Sequence, residues 1–586
     1  MNNNFIPTVE QKKIFNFFSV ENKHGIIDAV AGSGKTSTLI EGIKYIPLNK
    51  KILFCAFNKK IQTEISNKIQ KYSRLVTVKT TYALGLNILR MNDKMYRNAI
   101  VEDDKYYKIL SSYIANEPLN DARQNEVKEA YWRLKESFDS RKEKQKETEK
   151  IEVEDYSQFQ ARDIEELSFH EIADNNFKKL LSLTRLTLSY NQGKKGIRKV
   201  AEFYGLDIEL TNEIEIDCYT KIISHTIKKG IEIAKENAII DYADMIFLPD
   251  VFNFTSFNKY DVIFVDECQD LSNAQLKIVM KYYNNNGGRI FAVGDPFQSI
   301  YGFAGASPES FNNIKTLLSP DIFTLTNCFR CSQSIVDLAK TIREDISTAN
   351  TNLGTITKID YNNILELVQN KDFILSRFNK DIILTFFKLI SIGKSCKILG
   401  KEEILQEIID FIPKRYHKRE DFYENLPENV ELIFQSYKKK FSDNETKITT
   451  YEGIRDVIIF SFHNLRNASC FSELVADLKK LFSNENDDSI ILSSIHKSKG
   501  LESKNVFILN FDALPFSPSK GNVQEWQLYQ EKCLKYVAIT RAEENLYQVG
   551  QIPKDDSNIS NLINKAETDK EVKQEINLSE IDELPF

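Results

Sequence analysis

The chain has little charge bias. Across 586 residues, 78 Lys and Arg stand against 84 Asp and Glu, a formal net charge of −6. Bulk electrostatics therefore do not advertise a polyanion as ligand, and any nucleic-acid path has to be a local basic stripe. The imbalance is concentrated: residues 553–586 carry nine acidic residues against four lysines, which leaves the body nearly neutral. Long apolar runs are missing as well. No stretch reaches the ~18 residues of a membrane span, and the opening MNNNFIPTVE lacks the basic-then-apolar pattern of a secretory signal. Cysteine is sparse. Of eight scattered residues only Cys328 and Cys331 form a C-x-x-C, and no second pair follows. A zinc site wants four ligands at suitable spacing, so reduced thiols are the expectation. These absences predict a cytoplasmic protein with no membrane partner.

What the sequence does contain begins at residue 25. Gly25 to Val30 is a short apolar, β-branched run that reads as a buried strand. A glycine-rich turn follows, Ala31-Gly32-Ser33-Gly34, and Lys35-Thr36-Ser37-Thr38 opens a helix. Strand, loop and helix in this order are the context of a phosphate-binding loop. Glycines let backbone N–H groups turn inward around phosphate oxygens, and the helix N-terminus adds partial positive charge. Lys35 reaches the β- and γ-phosphates, and the Thr36 hydroxyl completes a Mg²⁺ shell. The strict pattern has Gly where Ala29 stands.

Residues 261–270 read DVIFVDECQD: a second apolar strand ending in Asp266-Glu267. Beside a phosphate loop, the first carboxylate holds Mg²⁺ through water and the second orients and deprotonates the attacking water. A third strand, 289–293, runs into GDPFQSIY, which sets Gln298 just past a strand end, within reach of a γ-phosphate. The 38 Phe and 25 Tyr exceed what stacking on bases would need, so most are core.

With these segments in order, the chain resembles superfamily 1A helicases of the UvrD/Rep/PcrA group. The resemblance covers Thr8-Val9-Glu10-Gln11, Phe57-Asn58-Lys59-Lys60, TTYALG at 80–85, VDECQDLS at 265–272, GDPFQSIYGFAGA at 294–306, LTNCFRCSQSI at 325–335, ILSRFN at 374–379, SSIHKSKGLESKNVFIL at 493–509 and LKYVAITRA at 534–542. DYADMIFLP at 241–249 leans toward the F-box-type subgroup.

The resemblance implies an α/β fold of two RecA-like P-loop motor domains in tandem, each carrying a mainly helical inserted subdomain. ATP with Mg²⁺ would sit between them. It implies catalytic roles for Lys35, Thr36, Asp266, Glu267, Gln298, Arg330 and Arg541, with Thr36 and Asp266 on the metal. Nucleotide contacts would come from Gln11, Ala31, Gly32, Ser33, Gly34, Lys35, Thr36, Ser37, Phe329 on the adenine and Glu502 on the ribose. A strand would be held by Phe57, Asn58, Thr81, Tyr82, Tyr301, Phe303 and His496. Stacked bases contribute ~1–3 kcal/mol each to such a grip. The implied substrates are single-stranded DNA and 3′-tailed duplex, travelled 3′ to 5′, by a monomer or a part of a complex. The chain departs from many relatives at Ser37 and Ala304, where they have Arg, and at Tyr82, where they have His.

The expected boundaries are 1–88 with 205–320 for the first motor domain, 89–204 for its insertion, 321–378 with 485–552 for the second, 379–484 for its insertion and 553–586 for an acidic tail. The stretch after Ala542 is too short for a fused nuclease of the RecB or AddA sort. The tail ends Leu584-Pro585-Phe586 and is similar to the tail of bacterial single-stranded DNA-binding protein. A partner with an apolar pocket and a basic rim would dock it.

Overall fold

The computed structural model describes residues 5–553, apart from 21–22, 71–75, 116–120, 149–160, 207, 303–304, 308, 442–443, 466–467, 484–487 and 519–522. Phe303, Ala304 and the Leu584–Phe586 tail thus lie outside the described residues. The chain divides into two compact units, Met1–Asn327 and Cys328–Phe586.

The strands in chain order are β1 Gly25–Ala29, β2 Ile52–Ala56, β3 Val76–Thr80, β4 Ile100–Val101, β5 Ile239–Ile240, β6 Val262–Val265, β7 Arg289–Gly294 and β8 Asp321–Leu325. Six of them form one sheet in the order β3-β2-β6-β7-β1-β8, parallel at every pairing. A parallel sheet is covered on both faces, so its strands read as continuous apolar runs. Successive residues serve opposite cores. Phe264 and Phe291 pack with Phe18 and Leu39 on one face, and Ile263 and Ile290 pack with Leu84 and Ile278 on the other. β8 closes the sheet beside β1, so the sheet extends past the boundary expected at residue 320.

A helical body grows out of this sheet. Its core runs from Leu89 to Leu248 and includes Ile216, Tyr219 and Ile222 of the Glu213–Asn237 helix. The expected end of the insertion at 204 therefore falls short. A helix that covers a sheet and one that packs in a bundle share one periodicity, and only the packing separates them. The helices Thr81–Asn92 and Tyr242–Val251 meet backbone to backbone at Gly85, where a Cβ would lie 2.0 Å from the Met245 carbonyl oxygen. Inside, Asp244 pairs with Lys105 at 2.6 Å and Arg185 at 3.0 Å, and Arg185 also reaches Asp241 at 2.8 Å. Tyr106 OH donates to Asp244 at 2.7 Å. DYADMIFLP is thus an internal ionic keystone: removing one partner would strand a buried charge.

The second unit continues with β9 Asn327–Cys328, β10 Ser347–Thr348, β11 Thr355–Ile359, β12 Phe373–Ser376, β13 Cys396–Leu399, β14 Ile490–Ser494, β15 Ser503–Ile508 and β16 Ala542–Val549. Its main sheet runs β11-β16-β15-β12-β14-β13, again parallel throughout. β13 lies inside the insertion expected at 379–484 yet forms an edge of this sheet. Four residues alternating buried and half-buried at an edge give the sequence little signal. Beyond β13 the insertion is helical. Its core is rich in aromatics: Tyr451 stacks on Tyr437 at 4.5 Å and on Phe441 at 5.5 Å. No helix among the described residues is long and apolar enough to cross a membrane.

Candidate functional site

The turn after β1 is a phosphate cradle in shape. Gly32 and Gly34 have φ of 67° and 80°, a region that a side chain disfavours. A Cβ on Gly34 would find its nearest neighbour at 3.9 Å, so the concavity is open. The helix Lys35–Gly42 starts directly behind it. Asp266, at the carboxyl end of β6, accepts a hydrogen bond of 2.5 Å from Thr36 Oγ1, across 230 residues of sequence. Lys35 Nζ stands 3.7 Å from Glu267 Oε1. Burial, then the neighbouring Glu267 charge, raises the Asp266 carboxyl to about 6, against the pull of Thr36 and Lys35. Glu267 has φ 51°, left-handed for a residue with a side chain, the kind of strain that collects at functional sites.

A polar chain leads away from Glu267. Gln269 Nε2 donates to Glu267 Oε2 at 2.6 Å, and Gln269 Oε1 accepts from the Asp295 backbone N–H at 3.1 Å. Asp295 in turn accepts from Gln298 Nε2 at 2.7 Å. Gln269 and Asp295 were not singled out in the sequence, although D-E-x-Q-D carried the signal: two further polar residues follow the acidic pair.

Gln11 is buried. Its Oε1 accepts from the Thr8 N–H at 3.0 Å, and its Nε2 donates to Thr38 Oγ1 at 2.9 Å. That leaves one N–H and one lone pair of the amide beyond these two bonds. Thr38, on the helix behind the loop, is the partner the sequence did not reveal.

The residues expected on a strand divide into two sets. Phe57, at the end of β2, and Tyr301, past β7, stack at 5.7 Å with rings 15° apart, both half-buried. Asn58 is exposed and caps the helix Lys59–Ile69 by accepting from the Ile61 N–H. Thr81 is different. It is 2% exposed, and its hydroxyl accepts from Gln275 Nε2 at 3.0 Å. In this structure the Thr81 hydroxyl serves the core and not the surface. Tyr82 packs against both the helical core and the sheet core.

In the second unit, three expected residues gather where β15 and β16 begin. Arg330 Nε pairs with Glu502 Oε2 at 2.5 Å. Arg541 is 1% exposed. It donates to the carbonyls of Val537 and Leu501, each at 3.0 Å. Phe329 presents its ring 49% exposed. His496 is half-buried, and desolvation, aided by the Arg377 and Lys497 charges, lowers it to about 3. It is neutral near pH 7 in this structure. Arg377, unremarked in the sequence, is clamped by both oxygens of Glu531. Cys328 and Cys331 are buried, and no group of three or more His, Cys, Asp or Glu converges as a metal site among the described residues.

The model of the UvrD/REP helicase N-terminal domain matches residues 8–318. F-box DNA helicase protein 1 of Schizosaccharomyces pombe is 26% identical over 309 residues, covering 50% of this chain and 34% of its own. The putative ATP-dependent DNA helicase R568 of Acanthamoeba polyphaga mimivirus is 24% identical over 393 residues, 64% of this chain and 47% of its own. The ATP-dependent DNA helicase PcrA of Bacillus subtilis is 37% identical over 78 residues, 13% of this chain and 11% of its own. The chain thus spans less than half the length of these relatives.

Proposed function

The chain belongs to the UvrD/REP helicase family, and from that premise we propose that it hydrolyses ATP to move 3′ to 5′ along single-stranded DNA and open a 3′-tailed duplex. The observation that carries this reading is the meeting of Thr36 with Asp266 at 2.5 Å beside the Lys35–Glu267 pair at 3.7 Å. Two segments far apart in sequence build one acid-and-phosphate site.

The N–H groups around Gly32 and Gly34 and the Lys35 ammonium bind the phosphates. The Thr36 hydroxyl and Asp266 carboxylate offer the hard oxygen donors that Mg²⁺ takes. The crowding of Asp266 and Glu267 is negative charge that a divalent cation relieves. When bound, Mg²⁺ supplies charge neutralisation on the phosphates. Glu267 orients the attacking water and takes its proton. Gln298 senses the γ-phosphate, and Gln11 reads the adenine edge. Ala31, Ser33 and Ser37 complete the loop. Arg330 and Arg541 stabilise charge on the transferred phosphoryl group, a role worth ~10³–10⁵ in rate. Phe329 stacks on the base, and Glu502 takes the ribose. Phe57, Asn58, Tyr82, Tyr301 and His496 hold the strand.

The test is ATP turnover with single-stranded DNA, single-stranded RNA and duplex, followed by unwinding of 3′- and 5′-tailed duplexes. Stimulation by single-stranded DNA with unwinding from the 3′ tail supports the proposal. Stimulation without unwinding marks a translocase that strips bound proteins, and clearance of a RecA-type filament is its readout. Turnover that responds only to a partner protein marks a nucleotide-gated subunit and overturns the motor reading.

A further inference from the structure

Glu267 is held from two sides. One carboxylate oxygen faces Lys35, and the other receives the side-chain amide of Gln269. The second contact has no evident place in phosphate binding. Gln269 is 2% exposed, and both ends of its amide are engaged: Nε2 donates to Glu267 Oε2 at 2.6 Å and, more weakly, to Asp270 Oδ2 at 3.3 Å, and Oε1 accepts from the Asp295 N–H at 3.1 Å. Its backbone carbonyl also accepts from Ser299 Oγ at 3.4 Å.

The packing fixes this bridge. A Cβ on Gly294 would come within 2.5 Å of Gln269 Oε1 and 2.8 Å of Cys268 Sγ, so β7 has room for the bridging amide only because residue 294 has no side chain. Beyond Asp295 the short turn Pro296–Gln298 is capped by the same aspartate, whose Oδ1 accepts from the Phe297 N–H at 3.0 Å. Tyr301, stacked on Phe57, follows directly. One amide therefore joins the hydrolytic carboxylate to the segment that ends in a strand-facing aromatic.

We propose that Gln269 is a positioning residue that couples hydrolysis to the strand: a base engaged at Phe57 and Tyr301 shifts the 295–301 segment, and the Gln269 amide transmits that shift to the Glu267 carboxylate. The inference deepens the proposed function and rests on it. Without the amide, Glu267 still stands beside Lys35, but its orientation no longer follows the strand.

The experiment measures ATP turnover with and without single-stranded DNA for the full chain and for Gln269→Met, Gln269→Glu, Tyr301→Ala and the double variant Gln269→Met/Tyr301→Ala. Gln269→Met removes all three side-chain hydrogen bonds. Gln269→Glu keeps the acceptor for Asp295 and loses the donors to Glu267 and Asp270, so it remains informative if the Met variant unfolds. The stimulation ratio is expected to fall about tenfold or more in both, with KM for ATP within about twofold, the split that separates chemistry from binding. The double variant is expected to be no worse than Gln269→Met alone, because both changes break one route. Two rates that fall together at an unchanged ratio, or losses that multiply in the double variant, overturn the coupling and leave the motor reading intact. A wild-type chain that single-stranded DNA does not stimulate sinks the motor reading, and the coupling with it.

Discussion

The two units hold their charged groups in opposite ways. In the first, Lys35, Thr36, Asp266 and Glu267 face one another across an open cradle, with like charges crowded together. In the second, the cations are already satisfied: Arg541 is buried on backbone carbonyls, and Arg330 is paired with Glu502. An acid cluster pre-organised by strand ends is ready for a cation and a phosphate. Arginines held on internal partners carry no charge left open in this way. The first unit therefore turns its charges toward an open cradle, and the second holds its charges on its own chain.

The largest effect tests the first half of that contrast. Lys35→Ala and Glu267→Gln should each lower ATP turnover by about 10²–10³ or more, as loss of a group aimed at developing charge does. Melting is a separate readout: Lys35→Ala also takes the cation from a buried, crowded acid pair and should lower stability, whereas Glu267→Gln relieves that crowding. Either variant turning over at the wild-type rate would break the assignment of the site.

Arg541→Ala tests the second half. It should lower turnover by about 10² or more. It should also lower stability by about 1–3 kcal/mol, because the Leu501 carbonyl loses its side-chain donor and the Val537 carbonyl keeps only the Thr540 hydroxyl. A turnover loss with unchanged melting would mean that the arginine is not stored as described, and the contrast between the units would weaken.

Glycines sharpen the comparison within the first unit. Gly85→Ala drives a Cβ to 2.0 Å from the Met245 carbonyl and should lower stability by about 1–3 kcal/mol or more, read by denaturant melting. Gly34→Ala meets nothing closer than 3.9 Å. It should lower stability by only the ~1–2 kcal/mol of a left-handed backbone, while ATP binding is lost. Equal melting losses would deny that the space over Gly34 is kept for a ligand.

Much of this was legible beforehand, for a physical reason. A buried parallel strand is a continuous apolar run, so β1, β6 and β7 stand out as 25–30, 262–265 and 289–293, and the chemistry sits on the turns just past them. The insertion ends were not legible. The Glu213–Asn237 helix and the β13 edge are assigned to their layers by contacts that no local pattern encodes. Thr81 and Gln269 exchanged apparent importance for a related reason. Side-chain direction at a strand end decides which polar residue faces the core, and spacing does not report it.

On the strand-facing side the expected effect is smaller. Phe57→Ala removes one partner of the Phe57–Tyr301 stack. At ~1–3 kcal/mol per stacked base, affinity for single-stranded DNA should fall about tenfold, with turnover in the absence of DNA retained. Fluorescence anisotropy on a labelled oligonucleotide reads it, and an unchanged affinity would move the grip elsewhere.

The smallest effect belongs to the second unit and turns on a sign. His496 is lowered to about 3, first by desolvation and then by Arg377 and Lys497. The folded chain therefore binds fewer protons at this site than the unfolded chain, whose histidine titrates near ~6.5. Stability from this group is complete above that value and declines as the pH falls from about 6.5 toward 3, by at most ~1.4 kcal/mol per pH unit. Other groups titrate in the same range, and burial lowers His24 as well, so the informative quantity is a difference. His496→Gln cannot be protonated. Between pH 7 and pH 5 its melting temperature should fall less than that of the wild type. Identical slopes would mean that His496 is already solvated in the folded chain, and such a histidine would be free to carry charge to a phosphate. That outcome would restore the cationic role that its burial argues against, and it would make this corner of the second unit as ready for its ligand as the cradle of the first.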